Sequence, residues 1–220
     1  MLGFYNYTVI LTYAGMLAAF SGILAAVNGG QKAALVCLML AGACDMFDGA
    51  VARTRKRTPA EKRFGIQIDS LSDLISFGVL PGMILYCQDR SLASAAAASL
   101  YVLCALVRLA YFNVMEEERQ EQTDEARTCY MGLPVTTSAA ILPAVYALKG
   151  WLGGGVIRMD LLALCAMALF FLLPVRVKKP HAAGKTWIAL LGTAEFLLLA
   201  GSRWIFLWLL NIKILCLPKR

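Results

Sequence analysis

Two pairs of aspartates sit at the ends of neighbouring apolar stretches: Asp45 and Asp48 close one, and Asp69 and Asp73 open the next. An unpaired charge near a bilayer core costs ~2.5–3.5 kcal/mol on insertion scales, so four acids on adjacent helix ends need partners that offset their repulsion. Carboxylates are hard oxygen ligands suited to Mg²⁺ or Mn²⁺. Zinc favours cysteine or histidine, and the single histidine, His181, lies in a distant basic link. Two such cations bridged by carboxylates neutralise and polarise a diphosphate and stabilise a departing phosphate, while one carboxylate accepts a proton from an attacking hydroxyl. That is phosphoryl-group transfer. The plainer alternative is a static ion network in which the acids pair with Arg53, Arg55 or Arg63.

Either reading requires two facing helices. On the first, Asp45, Asp48 and Ala52 share a sector of about 60°, and on the second Asp69, Ser72, Asp73 and Ser76 form a polar stripe along an apolar segment. Gly49 removes a side chain beside Asp48, so a bulky ligand can touch the backbone there, and Gly65 does the same before Asp69. Arg53 adds a planar cation matched to phosphate oxygens.

The rest of the chain reads as membrane. With 220 residues, 60% hydrophobic content and a mean hydropathy of +0.66, it carries more apolar surface than one soluble core of this length could hide. Apolar runs over Thr8–Val27, Ala33–Ala52, Ile66–Cys87, Leu92–Met115, Leu133–Leu148 and Met159–Val175 predict six helices, most near the ~20 residues that span a bilayer. Beyond the basic link Arg176–Lys185, Thr186–Leu217 accommodates one or two more, and a turn at Gly201-Ser202-Arg203 favours two. The expectation is therefore an all-α, polytopic helical bundle in one integral membrane domain over 1–220. Its six-helix core covers about 1–178, and the added helices cover about 186–217, for eight in total.

With the N-terminus inside, fourteen of the 21 Lys and Arg fall in inner loops and the tail, against five (Lys32, Arg90, Lys149, Arg158, Arg203) in outer turns. This excess places the aspartates at the cytoplasmic face of a cell membrane, and the net charge of +7 suits anionic lipid heads. Nucleic acid is not an expected partner, because the cations are spread over several short loops. The first apolar run lacks the basic region of a cleavable signal peptide and is expected to stay as a helix. Seven cysteines, odd in number and never in a CxxC pair, read as small apolar fillers. The acidic Glu116–Arg127 stretch reads as a solvated extension of the fourth helix. The small-residue run Ala93–Ala98 permits close helix approach, either within the bundle or at a homodimer seam.

The segment from Asp45 to Asp73, DMFDGAVARTRKRTPAEKRFGIQIDSLSD, resembles the signature of the CDP-alcohol phosphotransferases, DxxDGxxAR followed by GxxxDxxxD, with every fixed position matched. The eleven-residue spacer between Arg53 and Gly65 is longer than the family's usual one, and no nucleotide contact is assigned within it. The resemblance implies a reaction in which an alcohol displaces CMP from a CDP-linked lipid. It implies that Asp45, Asp48, Asp69 and Asp73 hold two Mg²⁺ or Mn²⁺ ions, that Gly49, Arg53 and Gly65 hold the CDP part, and that Asp73 is the general base.

Two further blocks, LVRLAYFN at Leu106–Asn113 and MGLP at Met131–Pro134, are similar to the RLxxFN and GLP blocks of bacterial and archaeal phosphatidylserine synthases. That likeness implies CDP-diacylglycerol and L-serine as substrates. An amino-acid acceptor needs a cation for its carboxylate and an acceptor for its ammonium, roles open to Arg108 and Asn113. The plainer readings are a snorkelling arginine and a common helix-end asparagine. Glycerol 3-phosphate or inositol phosphate as acceptor would ask for extra cations, which Arg55, Arg63 and Arg127 could supply. A cation transporter is the non-enzymatic alternative, disfavoured because the acids lie at helix ends rather than at the membrane midplane. At the N-terminus, Tyr5-Asn6 stands where related enzymes often carry Pro-Asn.

Overall fold

The computed structural model describes residues 3–4, 6–122, 129–151, 158–174, 176–178 and 192. A single 3₁₀ turn at Tyr7–Val9, capped by the Asn6 side chain accepting from the Thr8 amide at 3.1 Å, leads into α1 (Ile10–Val27). A turn through Asn28, Gly29 and Gly30, with Gly29 at φ +79°, reverses the chain into α2 (Gln31–Ala52). The two helices pack antiparallel along a seam of small residues, the usual means of close helix approach in membranes. A Cβ on Gly22 would lie 2.8 Å from Cys37 Cβ, and one on Gly15 would lie 3.2 Å from Cys44 Cβ. Positions rising along α1 thus meet positions falling along α2.

After α2 the chain turns back into α3 (Pro59–Asp73), seven residues earlier than the apolar run beginning at Ile66 suggested. Local chemistry explains the difference. Thr58 caps the helix by accepting from the Glu61 amide at 3.2 Å, Glu61 returns to accept from the Thr58 amide at 2.8 Å, and Pro59 pre-sets the first turn. The expected loop Thr54–Phe64 is therefore half helix. The N-terminal segment braces it: Asn6 Nδ2 donates to Glu61 Oε1 at 3.3 Å, Tyr7 and Thr54 hydroxyls meet at 2.9 Å, and Phe4 packs edge-on against Phe64. A π-helical segment, Leu74–Val79, follows Asp73 directly and runs into α4 (Leu80–Asp89), so one 31-residue rod spans Pro59–Asp89.

Arg90, in the left-handed region at φ 49°, ends that rod, and α5 (Leu92–Gln122) runs back beside it. Gly82 lets α5 approach to where Ala98 Cβ would touch an added Cβ at 3.4 Å, and the Tyr101 hydroxyl donates to the Phe77 carbonyl at 2.8 Å. The run Ala93–Ala98 thus uses Ser94, fully buried, and Ala98 for packing inside the bundle. Past Met115 the helix continues as a polar extension in which Arg119 pairs with Glu116 at 2.6 Å, as expected of a solvated end.

Beyond it, β1 (Cys129–Met131) pairs antiparallel with β2 (Arg176–Lys178), a three-residue ladder that the all-α expectation did not contain. It forms because Gly132, at φ +75°, turns the chain beneath the backbone carbonyls of Phe170 and Phe171, and the Leu133 amide then donates to the Phe170 carbonyl at 3.2 Å. Pro134 delays the fifth helix, so α6 spans Ser138–Trp151 rather than starting at Leu133, and α7 spans Met159–Leu172, ending before Pro174. Gly42 admits Ala139, whose Cβ would lie 2.8 Å from an added Cβ, and this docks α6 on α2.

Four helical stretches, Tyr7–Val27, Gln31–Ala52, Pro59–Asp89 and Leu92–Arg119, are long and apolar enough to cross a membrane, and the chain is a multi-pass membrane protein. At 14 residues each as described, α6 and α7 fall short of ~20, and the further helices expected over 186–217 lie outside the described residues. Large apolar side chains such as Leu17, Phe20, Leu103 and Leu169 are half exposed or more, while the interior is lined by Ala19, Ala26, Ala34 and Ala105. That distribution suits a bundle whose solvent is lipid.

Candidate active site

The antiparallel α1–α2 seam and the return of α3 bring the two aspartate pairs together near the α2–α3 turn. One carboxylate oxygen from each of Asp45, Asp48 and Asp69 falls within a set no more than 4.8 Å apart. Asp73, one helical turn beyond Asp69, lines the same hollow with Ser72 and Ser76, and α1 closes it with Leu11, Thr12 and Gly15. All four aspartates are half-buried. Free space in the hollow is about 10 Å³, enough for a water-sized body and far too little for a nucleotide.

Among the described residues, no Lys or Arg lines this hollow and none pairs with any of the four aspartates. The static ion network is thus not what the fold builds: Arg55 pairs instead with Glu61 at 3.5 Å. Three clustered carboxylates without a protein cation are the donor set that a divalent ion of the Mg²⁺ or Mn²⁺ type fits, since hard oxygens are the only side-chain ligands offered. Thr12 Oγ1 donates to Asp48 Oδ2 at 3.3 Å, and Ser72 Oγ donates to the Thr12 carbonyl at 3.3 Å.

The other motif residues surround the opening. Gly49 is exposed, and an added Cβ would meet no protein atom within 4 Å, so no packing inside the protein requires a glycine there. Arg53, the C-terminal cap of α2, is exposed on the same turn. Above Gly65 the space is taken by Arg57, whose Nη1 would lie 3.0 Å from an added Cβ. The longer spacer thus lays a guanidinium on α3 one turn before Asp69. Sequence reasoning did not single out Arg57, one basic residue among several in the loop. Thr12 was missed as well, although the tight turn at Asn28–Gly30 sets a hairpin register that places it opposite Asp48.

The two acceptor candidates are held by other partners. Arg108 is 7% exposed, donates through Nε to the Leu133 carbonyl at 2.6 Å and stacks over the Phe112 ring at 5.8 Å. Asn113 Oδ1 accepts from Ser70 Oγ at 2.7 Å, which places it beside α3 next to Asp69. Neither lines the aspartate hollow. At the opposite end of the bundle a second polar cluster joins Lys149 to buried Asp160 at 2.6 Å and to Gln88 at 3.4 Å.

Several curated proteins are similar to this chain. The CDP-diacylglycerol–serine O-phosphatidyltransferase of Mycobacterium leprae is 33% identical over 147 residues, 66% of this chain and 48% of the relative. The archaetidylserine synthase of Methanothermobacter thermautotrophicus is 36% identical over 136 residues, 60% of this chain and 54% of the relative. The CDP-diacylglycerol–serine O-phosphatidyltransferase of Saccharomyces cerevisiae is 37% identical over 115 residues, 50% of this chain and 41% of the relative. The matched region spans about half the length of these relatives. The family model for CDP-alcohol phosphatidyltransferase matches residues 5–215, nearly all of the chain, and with the aspartate signature gathered in one hollow the protein belongs to the CDP-alcohol phosphatidyltransferase family.

Proposed function

We propose that the protein is a phosphatidylserine synthase, which transfers the phosphatidyl group of CDP-diacylglycerol to the hydroxyl of L-serine and releases CMP. The observation that carries this reading is the convergence of Asp45, Asp48 and Asp69, with Asp73 alongside, in a hollow that no Lys or Arg lines among the described residues. The choice of serine rests on the relatives, two named for a serine O-phosphatidyltransferase and one for an archaetidylserine synthase, and on the LVRLAYFN and MGLP blocks.

In this reading Asp45, Asp48, Asp69 and Asp73 hold Mg²⁺ or Mn²⁺, two ions per site. A divalent cation bound there supplies charge neutralisation for the diphosphate and for the phosphate that departs. The chain's own groups do the rest. Gly49 presents bare backbone to the CDP part, Gly65, one turn before Asp69 and beneath the Arg57 guanidinium, helps hold it, and Arg53 offers its planar cation to phosphate oxygens. Asp73 takes the proton of the serine hydroxyl as that oxygen bonds to the lipid-side phosphorus. The bond between that phosphorus and the oxygen bridging to CMP breaks, and CMP leaves with the electron pair. Arg108 and Asn113, the residues read as acceptor-binding, lie on α5, with Asn113 hydrogen-bonded to Ser70 of α3. The excess of basic residues on the loops at this end supports an active site at the cytoplasmic face of the cell membrane.

The test supplies purified protein with CDP-diacylglycerol, Mn²⁺ or Mg²⁺, and one acceptor at a time, and measures CMP release. Release with serine alone is expected, together with its loss on chelation and recovery on adding either metal. Release with glycerol 3-phosphate or inositol phosphate but not with serine would refute the serine assignment while leaving the chemistry standing.

A further inference from the structure

None of the four aspartates lies on α1, yet α1 forms a wall of their hollow, and Thr12 touches both acid-bearing helices. Its side-chain hydroxyl donates to Asp48 Oδ2 on α2, and its backbone carbonyl accepts from Ser72 on α3, each at 3.3 Å. Thr12 is 8% exposed in an otherwise apolar helix. A threonine in such a place commonly turns its hydroxyl back onto the carbonyl one turn earlier in its own helix. Here the hydroxyl crosses to the neighbouring helix instead. Its position is fixed by the small-residue seam: Gly15, one turn further along α1, lies against Cys44, one turn back along α2, so Thr12 and Asp48 face each other by register.

We propose that Thr12 is a positioning residue for Asp48, holding that carboxylate in the rotamer that turns it toward Asp45 and Asp69. The terminal torsion of an aspartate is broad and roughly two-fold, so an isolated carboxylate near others of like charge swings away from them. One hydroxyl donor on Oδ2 restricts that swing and occupies only one of the roughly four lone-pair sites on the group, leaving the rest for a cation. Ser72 in turn ties the Thr12 backbone to α3, so one residue links the aim of Asp48 to both acid-bearing helices. Partners of this kind, one step removed from an ion, typically change metal affinity by about 10- to 100-fold when lost.

This rests on the reading of the aspartates as ligands of a divalent cation, and the test separates the two. Mn²⁺ affinity of the purified full-length protein is measured without substrates, by the paramagnetic resonance signal of free Mn²⁺, for wild type, Thr12→Val, Thr12→Ala and Thr12→Ser. Metal-free unfolding midpoints check that each variant folds, and Thr12→Ala stands in should the valine variant not fold. The valine and alanine variants are expected to bind Mn²⁺ about 10- to 100-fold more weakly, and serine, which keeps the hydroxyl, to bind within about threefold of wild type. Wild-type affinity in Thr12→Val, or equal weakening in Thr12→Val and Thr12→Ser, would overturn the role of the hydroxyl. A wild-type protein that binds no Mn²⁺ would overturn the cation reading itself, and this role with it.

Discussion

Arg108 on α5 holds the Leu133 backbone carbonyl through its Nε at 2.6 Å, tying the LVRLAYFN block to the MGLP block twenty-five positions away. Leu133 in turn donates its amide to the Phe170 carbonyl on α7. One buried guanidinium thus organises the turn that launches the fifth helix.

This predicts that Arg108→Met lowers the unfolding midpoint in detergent, because a partly buried carbonyl that loses its donor costs up to about 1–3 kcal/mol. Arg108→Lys recovers part of the loss, since an ammonium reaches a single carbonyl but lacks the planar fork that also stacks on Phe112. A lowered serine affinity with an unchanged midpoint in either variant would show that Arg108 serves the acceptor rather than the turn.

Gly42 and Gly49 lie seven positions apart on α2 and face different neighbours. Gly42→Ala forces a Cβ to 2.8 Å from Ala139, so the α2–α6 contact must open, at about 1–3 kcal/mol. Gly49→Ala meets nothing within 4 Å and gains up to about 1 kcal/mol in helix propensity. Thermal unfolding therefore separates the two, with the first destabilised and the second not. In a CMP-release assay Gly49→Ala raises the KM for the CDP-linked lipid about tenfold, equivalent to about 1.4 kcal/mol of lost contact.

Asp73→Asn removes a proton acceptor while three carboxylates remain. Turnover is expected to fall below detection, while metal-dependent binding of a CDP-linked ligand persists in part, measured by equilibrium binding in Mn²⁺. Full turnover in that variant would reassign the base.

At the other end of the bundle, Asp160 is 5% exposed and paired with Lys149. Asp160→Ala leaves the Lys149 ammonium without its carboxylate and with only the Gln88 contact, and the unfolding midpoint is expected to drop by the equivalent of about 3 kcal/mol or less, since Lys149 retains some solvent. The double variant Lys149→Met with Asp160→Leu regains most of that stability, because it removes both charges together. CMP release by the double variant at a permissive temperature should match wild type, as the pair lies far along the helices from the aspartate hollow.

The sequence was most legible where physics acts along the chain. Membrane character follows from composition summed over runs of about twenty residues, which needs no knowledge of neighbours. The aspartate stripes follow from helical period, which puts Asp45 and Asp48 on one face and Asp69 and Asp73 on another whatever those helices pack against. The early start of α3 was also written in the string as Thr58-Pro59-Ala60-Glu61, but hydropathy is blind to caps, and an apolar window begins counting only at Ile66.

Packing decided the remainder, because it joins segments whose separation along the chain carries no signal of their distance in space. That Thr12 faces Asp48, that Arg57 lies over Gly65, that Arg108 donates to the Leu133 carbonyl and that Lys149 finds Asp160 all depend on which helices touch and in what register. Residue type and spacing prescribe the chemistry a carboxylate quartet can perform. Only the close approach of helices across glycine and alanine seams brings oxygens of Asp45, Asp48 and Asp69 within 4.8 Å of one another, since side-chain volume at the contact sets how near two backbones can come.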